Sequence, residues 1–228
     1  LALADKLDTL VGIFAIGQRP SGVKDPYALR RGALGVLRIL IETPVRLDLK
    51  GLLATAAAQL SSKVDADRAA DEVLEYSLDR LKGYYEDKGV PADSVEAVLA
   101  TGGTMPSDID RRVQAVEAFR KLPEAVALAA ANKRIRNILR KSGQDLGAHA
   151  VSPSLLVETA EQRLSARIAE ATLAVAPMQA RQDYSGVLKA LAGLRADVDV
   201  FFDAVMVMAD DEALRRNRLV LLGSLHAL

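Results

Sequence analysis

The stretch Asn132-Lys133-Arg134-Ile135-Arg136-Asn137-Ile138-Leu139-Arg140-Lys141 is a dense basic run in a chain that is balanced overall, with 30 Lys and Arg against 30 Asp and Glu. Set on a helix at about 100° per residue, it separates into two faces. Leu128, Ala131, Ile135, Ile138 and Leu139 share one side; Lys133, Arg134, Arg136, Asn137, Arg140 and Lys141 share the other. Such a helix can dock its apolar face on a core and hold guanidinium and ammonium groups toward a polyanion. Cations focused on one element of a neutral protein point to a local phosphate-binding site. The competing reading is a charged face that is merely solvated.

The same period recurs on both sides of the run. Upstream, Leu3, Leu7, Leu10, Val11 and Phe14 predict a helix closing near Gly17, followed by a Gly/Pro loop to Pro26. Asp25 as N-cap and Pro26 at the first helical position open the next helix, which Pro44 ends. Asp48 caps a third helix, a fourth carries Val73 to Tyr85, and Asp93 caps a short fifth one to Ala100. Thr101-Gly102-Gly103-Thr104-Met105-Pro106 is the strongest interior break and sets an expected boundary between residues 1–103 and 104–228. Beyond it, Ser107 with Asp110 reads as a capping box, and Pro123 starts the basic helix. Ser142 to Ser154 reads as a loop. Helices follow from about Leu155 to Val175, where Pro177 interrupts, then over Tyr184 to Leu194, Asp197 to Met208 and Asp211 to Leu228. The expected fold class is all-α, a helical bundle in two subdomains.

Composition agrees. Half the residues are apolar and only 4% aromatic, which favours helix-on-helix packing and leaves little for an extensive base-stacking platform. With no cysteine, disulfides and thiolate metal sites are excluded, which suits a cytoplasmic location. No apolar run is long enough to cross a bilayer, so no membrane partner is expected. The chain opens on Leu1 and ends at Leu228 within a helical pattern, and is read as a fragment of a longer polypeptide.

Catalytic and metal signals are weak, and none is assigned. His149 and His226 lack metal-ligand spacing, there is no His-Asp doublet, and both histidines read as solvated. The loop from Gly17 to Lys24 is a near miss to a phosphate-cradling loop. Val23 separates Gly22 from Lys24, Asp25 follows where Ser or Thr is needed, and a helix precedes it instead of a strand. It reads as a tight helix connection, with a docking surface through Arg19 and Lys24 as the alternative. Asp199, Asp203 and Asp210 are expected to pair with Arg215, Arg216 or Arg218, the last as a structural ion pair. Phe201, Phe202, Val205 and Met206 read as core, though one exposed ring could stack on an unpaired base.

The block from Ala131 to Leu139 resembles a signature of the beta subunit of bacterial glycyl-tRNA synthetase. Two further blocks in the same order support the resemblance: Leu7 to Gly22 with Lys24-Asp25-Pro26 and Ala28-Leu29-Arg30-Arg31, and Val198 to Met208 followed by Arg216-Asn217-Arg218-Leu219. It covers almost the whole chain. The resemblance implies the C-terminal third of that subunit, beginning in the tail of a helical His-Asp-type region and ending in a DALR-type anticodon-binding domain. Any metal ligands of the former would lie upstream. It also implies a holoenzyme of two alpha and two beta chains joining glycine to glycine tRNA. ATP and magnesium would be used on the alpha subunit, with no cofactor in this fragment. On that reading Lys133, Arg134, Arg136, Asn137, Arg140 and Lys141 meet the tRNA, Arg136 and Asn137 touching bases. The runner-up is a helical protein-interaction scaffold without RNA contact.

Overall fold

The computed structural model describes residues 1–60, 64–143 and 149–228. Among them the regular elements are helical, apart from an isolated bridge between Ser21 and Lys24. The chain divides into two compact units, Leu1–Glu117 and Ala118–Leu228.

The first unit holds α1 (Ala2–Ala15), α2 (Leu29–Glu42), α3 (Leu49–Ala57), α4 (Ala66–Glu86), α5 (Ala92–Ala100) and nearly all of α6 (Pro106–Arg120). Leu10, Val11, Leu37, Leu40, Leu53, Val73 and Leu81 form its dry centre. The expected stripe of α1 is the buried one: Leu7, Leu10, Val11 and Phe14. Helix α2 starts later than expected, at Leu29, because Pro26 lies in a turn and not in the helix. Asp25 still caps it, reaching across that turn to accept from the backbone N–H groups of Leu29 (2.8 Å) and Arg30 (3.1 Å). Asp48 caps α3 as expected, accepting from Gly51 N–H at 2.9 Å. Asp93 does not cap α5; Pro91 holds that position and Asp93 sits in the first turn, where its charge opposes the helix dipole.

The Gly-rich break at 101–106 lies inside this unit. The Thr104 carbonyl accepts Leu49 N–H at 2.9 Å, and the Thr104 hydroxyl donates to the Asp48 carboxylate. Beyond it, Ile109 and Val113 bury into the first core, and Tyr85 Oη donates to Asp110 Oδ1 at 2.8 Å. The expected Ser107–Asp110 capping box therefore does not form. Helix α6 already begins at Pro106, and Asp110 serves Tyr85 and Gln114. Burial beside the Asp110 carboxylate pushes the Tyr85 hydroxyl far above its ordinary range, so it stays a neutral donor.

The second unit holds α7 (Pro123–Ser142), a 3₁₀ turn (Pro153–Leu155), α8 (Thr159–Ala180), α9 (Tyr184–Ala192), α10 (Arg195–Ala204) and α11 (Glu212–His226). Leu164, Phe201, Leu219, Leu221 and Leu222 are its fully buried centre. Pro123 opens α7 and Gly143, at φ 60°, ends it in the left-handed conformation glycine favours. The loop expected over Ser142 to Ser154 includes residues 144–148, which lie outside the described residues. Leu155 belongs to the 3₁₀ turn, so α8 begins later than expected, with a capping box between Glu158 and Glu161. Nor does Pro177 interrupt α8. It sits in the last turns and forfeits only the bond to the Leu173 carbonyl, on a residue 78% exposed. Helix α10 ends at Ala204, short of Met208, and Met206 is 73% exposed instead of buried.

Candidate nucleic-acid interface

Helix α7 presents the two faces its spacing predicts. Ile135 is buried, and Ala131, Ile138 and Leu139 pack against the second core. Lys133, Arg134, Arg136, Arg140 and Lys141 are exposed, and Asn137 is half-buried. Among the described residues none of these five cations lies in an ion pair; their charges face outward. Arg140 Nη2 donates to Asn137 Oδ1 at 3.3 Å, which couples two of the predicted contacts one turn apart. The Arg134 guanidinium lies 3.9 Å from the ring centroid of Phe202. Phe202 meets Phe201 edge-on, with centroids 5.6 Å apart, and Phe201 is fully buried. Asn132 faces the core side of the helix, where its Oδ1 accepts from His226 Nδ1 at 2.8 Å. His226 is thus exposed but engaged. Arg140 and Lys141 also sit in the last turn of α7, where cations favour the negative end of the helix dipole.

The base that carries this face depends on Arg218, and on partners the sequence did not single out: Glu161, the Asn217–Ser152 clamp and Asp197. Arg218 Nε donates to Glu161 Oε1 at 2.6 Å, with Arg218 and Glu161 side chains 6% and 0% exposed. Arg218 Nη1 also donates to the Met206 carbonyl at 2.9 Å, tying down the turn after α10. Arg218 is therefore the structural ion pair expected, but its partner is Glu161 and not a carboxylate of the Asp199–Asp210 segment. Asp199 pairs instead with Arg195 on its own helix, at 3.5 Å. Arg215 donates to the Ala209 carbonyl at 2.7 Å, and Arg216 donates to His149 Nε2 at 2.6 Å. Asn217 clamps Ser152 from both sides, accepting its N–H at 2.7 Å and donating to its carbonyl at 3.1 Å. Asp197, 5% exposed, accepts from both Arg163 and Arg167 of α8. A Glu161 three residues after Glu158, just ahead of Leu164, was a capping signal that could have been read.

Arg19 and Lys24, the suggested docking pair, have different fates. Arg19 Nε donates to Glu72 Oε2 at 2.6 Å, and its guanidinium lies 5.9 Å from the Phe14 ring. Lys24 is exposed, its backbone closing the loop against Ser21. The Arg19 hydrogen bond holds the Glu72 carboxyl below its ordinary range, against the opposing effect of desolvation. The lowered value makes the pair favourable above the ordinary carboxylate range, a contribution lost as pH falls through the lowered value. Arg19→Ala is expected to move the Glu72 titration upward toward that range, as followed by carboxyl NMR; an unmoved titration would assign the shift to other neighbours.

Among the described residues no three His, Asp or Glu side chains converge to hold a metal ion, and no helix is long and apolar enough to cross a membrane.

Two family models match the chain. Residues 1–100 match the glycyl-tRNA synthetase beta subunit, and residues 128–228 match the DALR anticodon binding domain. Glycine–tRNA ligase beta subunits of Shewanella amazonensis and Pseudomonas aeruginosa (strain UCBPP-PA14) are 52% and 54% identical to it over 225 residues, 99% of this chain. The chain spans about a third of their length, 32% and 33%. The chain is thus similar over nearly its whole length to the beta subunits of glycine–tRNA ligase, and its match to the DALR anticodon binding domain falls within the unit that carries the cationic face of α7.

Proposed function

We propose that this chain is the tRNA-binding, non-catalytic part of a cytoplasmic glycine–tRNA ligase beta subunit. Its α7 face meets the anticodon loop of glycine tRNA. The observation that carries the reading is the row of exposed cations on α7, unpaired among the described residues and fixed from behind by a packed core. Anticodon bases stand in a loop where they can be splayed out. Arg and Asn can then read their edges while Lys holds phosphates. Lys133, Arg134, Arg136, Asn137, Arg140 and Lys141 form this contact, with Arg136 and Asn137 on bases. Arg19 is committed to Glu72, which leaves Lys24 as the cation of the first-unit loop without an ion pair among the described residues.

The ligase would act with an alpha subunit, in an assembly of two alpha and two beta chains, and would use ATP and magnesium there. The Gly17–Lys24 loop does not fit a phosphate cradle. At the Gly17–Lys24 loop, the Asp25 carboxylate already occupies the N-terminal N–H groups of α2 that would face a phosphate.

Competition between glycine tRNA and the same tRNA with an altered anticodon tests the proposal. Preference for the native anticodon is expected; equal affinity would overturn anticodon reading. Lys133→Ala and Arg140→Ala are each expected to reduce the slope of log affinity against log salt by about one. Filter binding at several salt concentrations measures this, and unchanged slopes would remove α7 from the interface.

A further inference from the structure

Resting on the anticodon reading, we propose that Arg134 is not a phosphate contact but a stacking platform for an unpaired nucleobase, held flat by Phe202.

The geometry is layered. Phe201 is fully buried and cannot turn without opening the core. Phe202 meets it edge-on at 5.6 Å and is fixed by it, while remaining partly exposed. The Arg134 guanidinium lies over the Phe202 ring at 3.9 Å, close enough for cation–π and planar contact. Arg134 makes no ion pair among the described residues and is exposed, so the guanidinium centred over Phe202 is still open to a ligand. An arginine reaching for phosphate gains from a mobile tip; one laid on a ring has lost that freedom before any ligand arrives. What it offers is a flat, cationic, pre-ordered surface. Unpaired bases stack on aromatic side chains and on arginine planes without regard to base identity. The chain's scarcity of aromatic residues makes this economical: one half-buried ring orders a guanidinium that does the stacking.

Helix geometry places the platform at the edge of the cationic face. Asn137 and Lys141 follow Arg134 at three and seven residues, so they lie about 4.5 and 10.5 Å further along the axis on nearly the same side. A base resting on Arg134 would have a polar amide and then an ammonium beyond it, the order in which a splayed nucleotide presents base and backbone.

The test uses the full chain and a glycine tRNA anticodon stem-loop with 2-aminopurine in the loop. Arg134→Lys keeps the charge and removes the plane; Phe202→Leu removes the support. Arg134→Lys is expected to weaken binding by about five- to a hundredfold. Its salt slope should match the unsubstituted chain's, and quenching of 2-aminopurine on binding should be reduced. Phe202→Leu, checked for folding by thermal melting, should weaken binding in the same direction. Arg134→Lys binding as tightly as the unsubstituted chain would overturn the stacking role and leave the anticodon reading intact. Failure of the unsubstituted chain to bind the stem-loop would overturn both.

Discussion

Replacing Glu161 by Ala is expected to destabilise the second unit by about 3–5 kcal/mol, the cost of leaving one buried charge without its partner. Arg218 would be stranded at 6% side-chain exposure, with only the Met206 carbonyl, among the described residues, left to accept from it. Glu161 also closes the capping box of α8, its Oε2 accepting from Glu158 N–H at 2.8 Å, so its loss strikes twice. Guanidinium denaturation followed by circular dichroism gives the magnitude, and hydrogen exchange locates it in α8 and α11. Replacing both partners together, Glu161→Leu with Arg218→Met, should recover much of the loss, because no charge is then left buried. A single substitution costing under about 1 kcal/mol would mean that the pair is not dry.

The largest effect on binding is expected from removing Lys133, Arg136 and Arg140 together. All three are exposed, so replacement by Ala leaves the fold in place and changes only what the helix offers outward. Two lost phosphate contacts should lower the salt slope by roughly two. A lost base-reading arginine costs about 1–3 kcal/mol on its own. At moderate salt the combined effect is on the order of a hundredfold or more in affinity for glycine tRNA. Discrimination between anticodons should fade as well, since Arg136 is the proposed reader. Tight, selective binding by the triple variant would place the interface on another element of the second unit.

The cationic face was legible in the sequence because helical period and charge are both local properties. Ile135 buried and Lys133 exposed follow from phase alone. The groups that hold this face in place are set by pairings between distant segments, and those left no local trace. Glu161 and Arg218 are 57 residues apart, and Asn217 and Ser152 are 65 apart. The nearer acids on α10 were the natural guess for Arg218, yet the fold turns Asp199 toward Arg195 on its own helix. Loops misled for a similar reason. The glycines at 102 and 103 mark a sharp change of direction, and tertiary bonds from Thr104 to Leu49 and Asp48 then decide that the chain stays in the same unit. Met206 looked apolar enough for a core, but what the fold uses there is its carbonyl, which Arg218 holds.

Helix α11 contributes Leu219, Leu221 and Leu222 to the centre on which α7 rests, and its Asn217 and Arg218 fasten segments made earlier in the chain. During synthesis the basic stretch therefore leaves the ribosome well before its backing exists. It cannot become a rigid cationic surface until α11 has emerged and docked, so the face is not assembled in any chain that still lacks that helix.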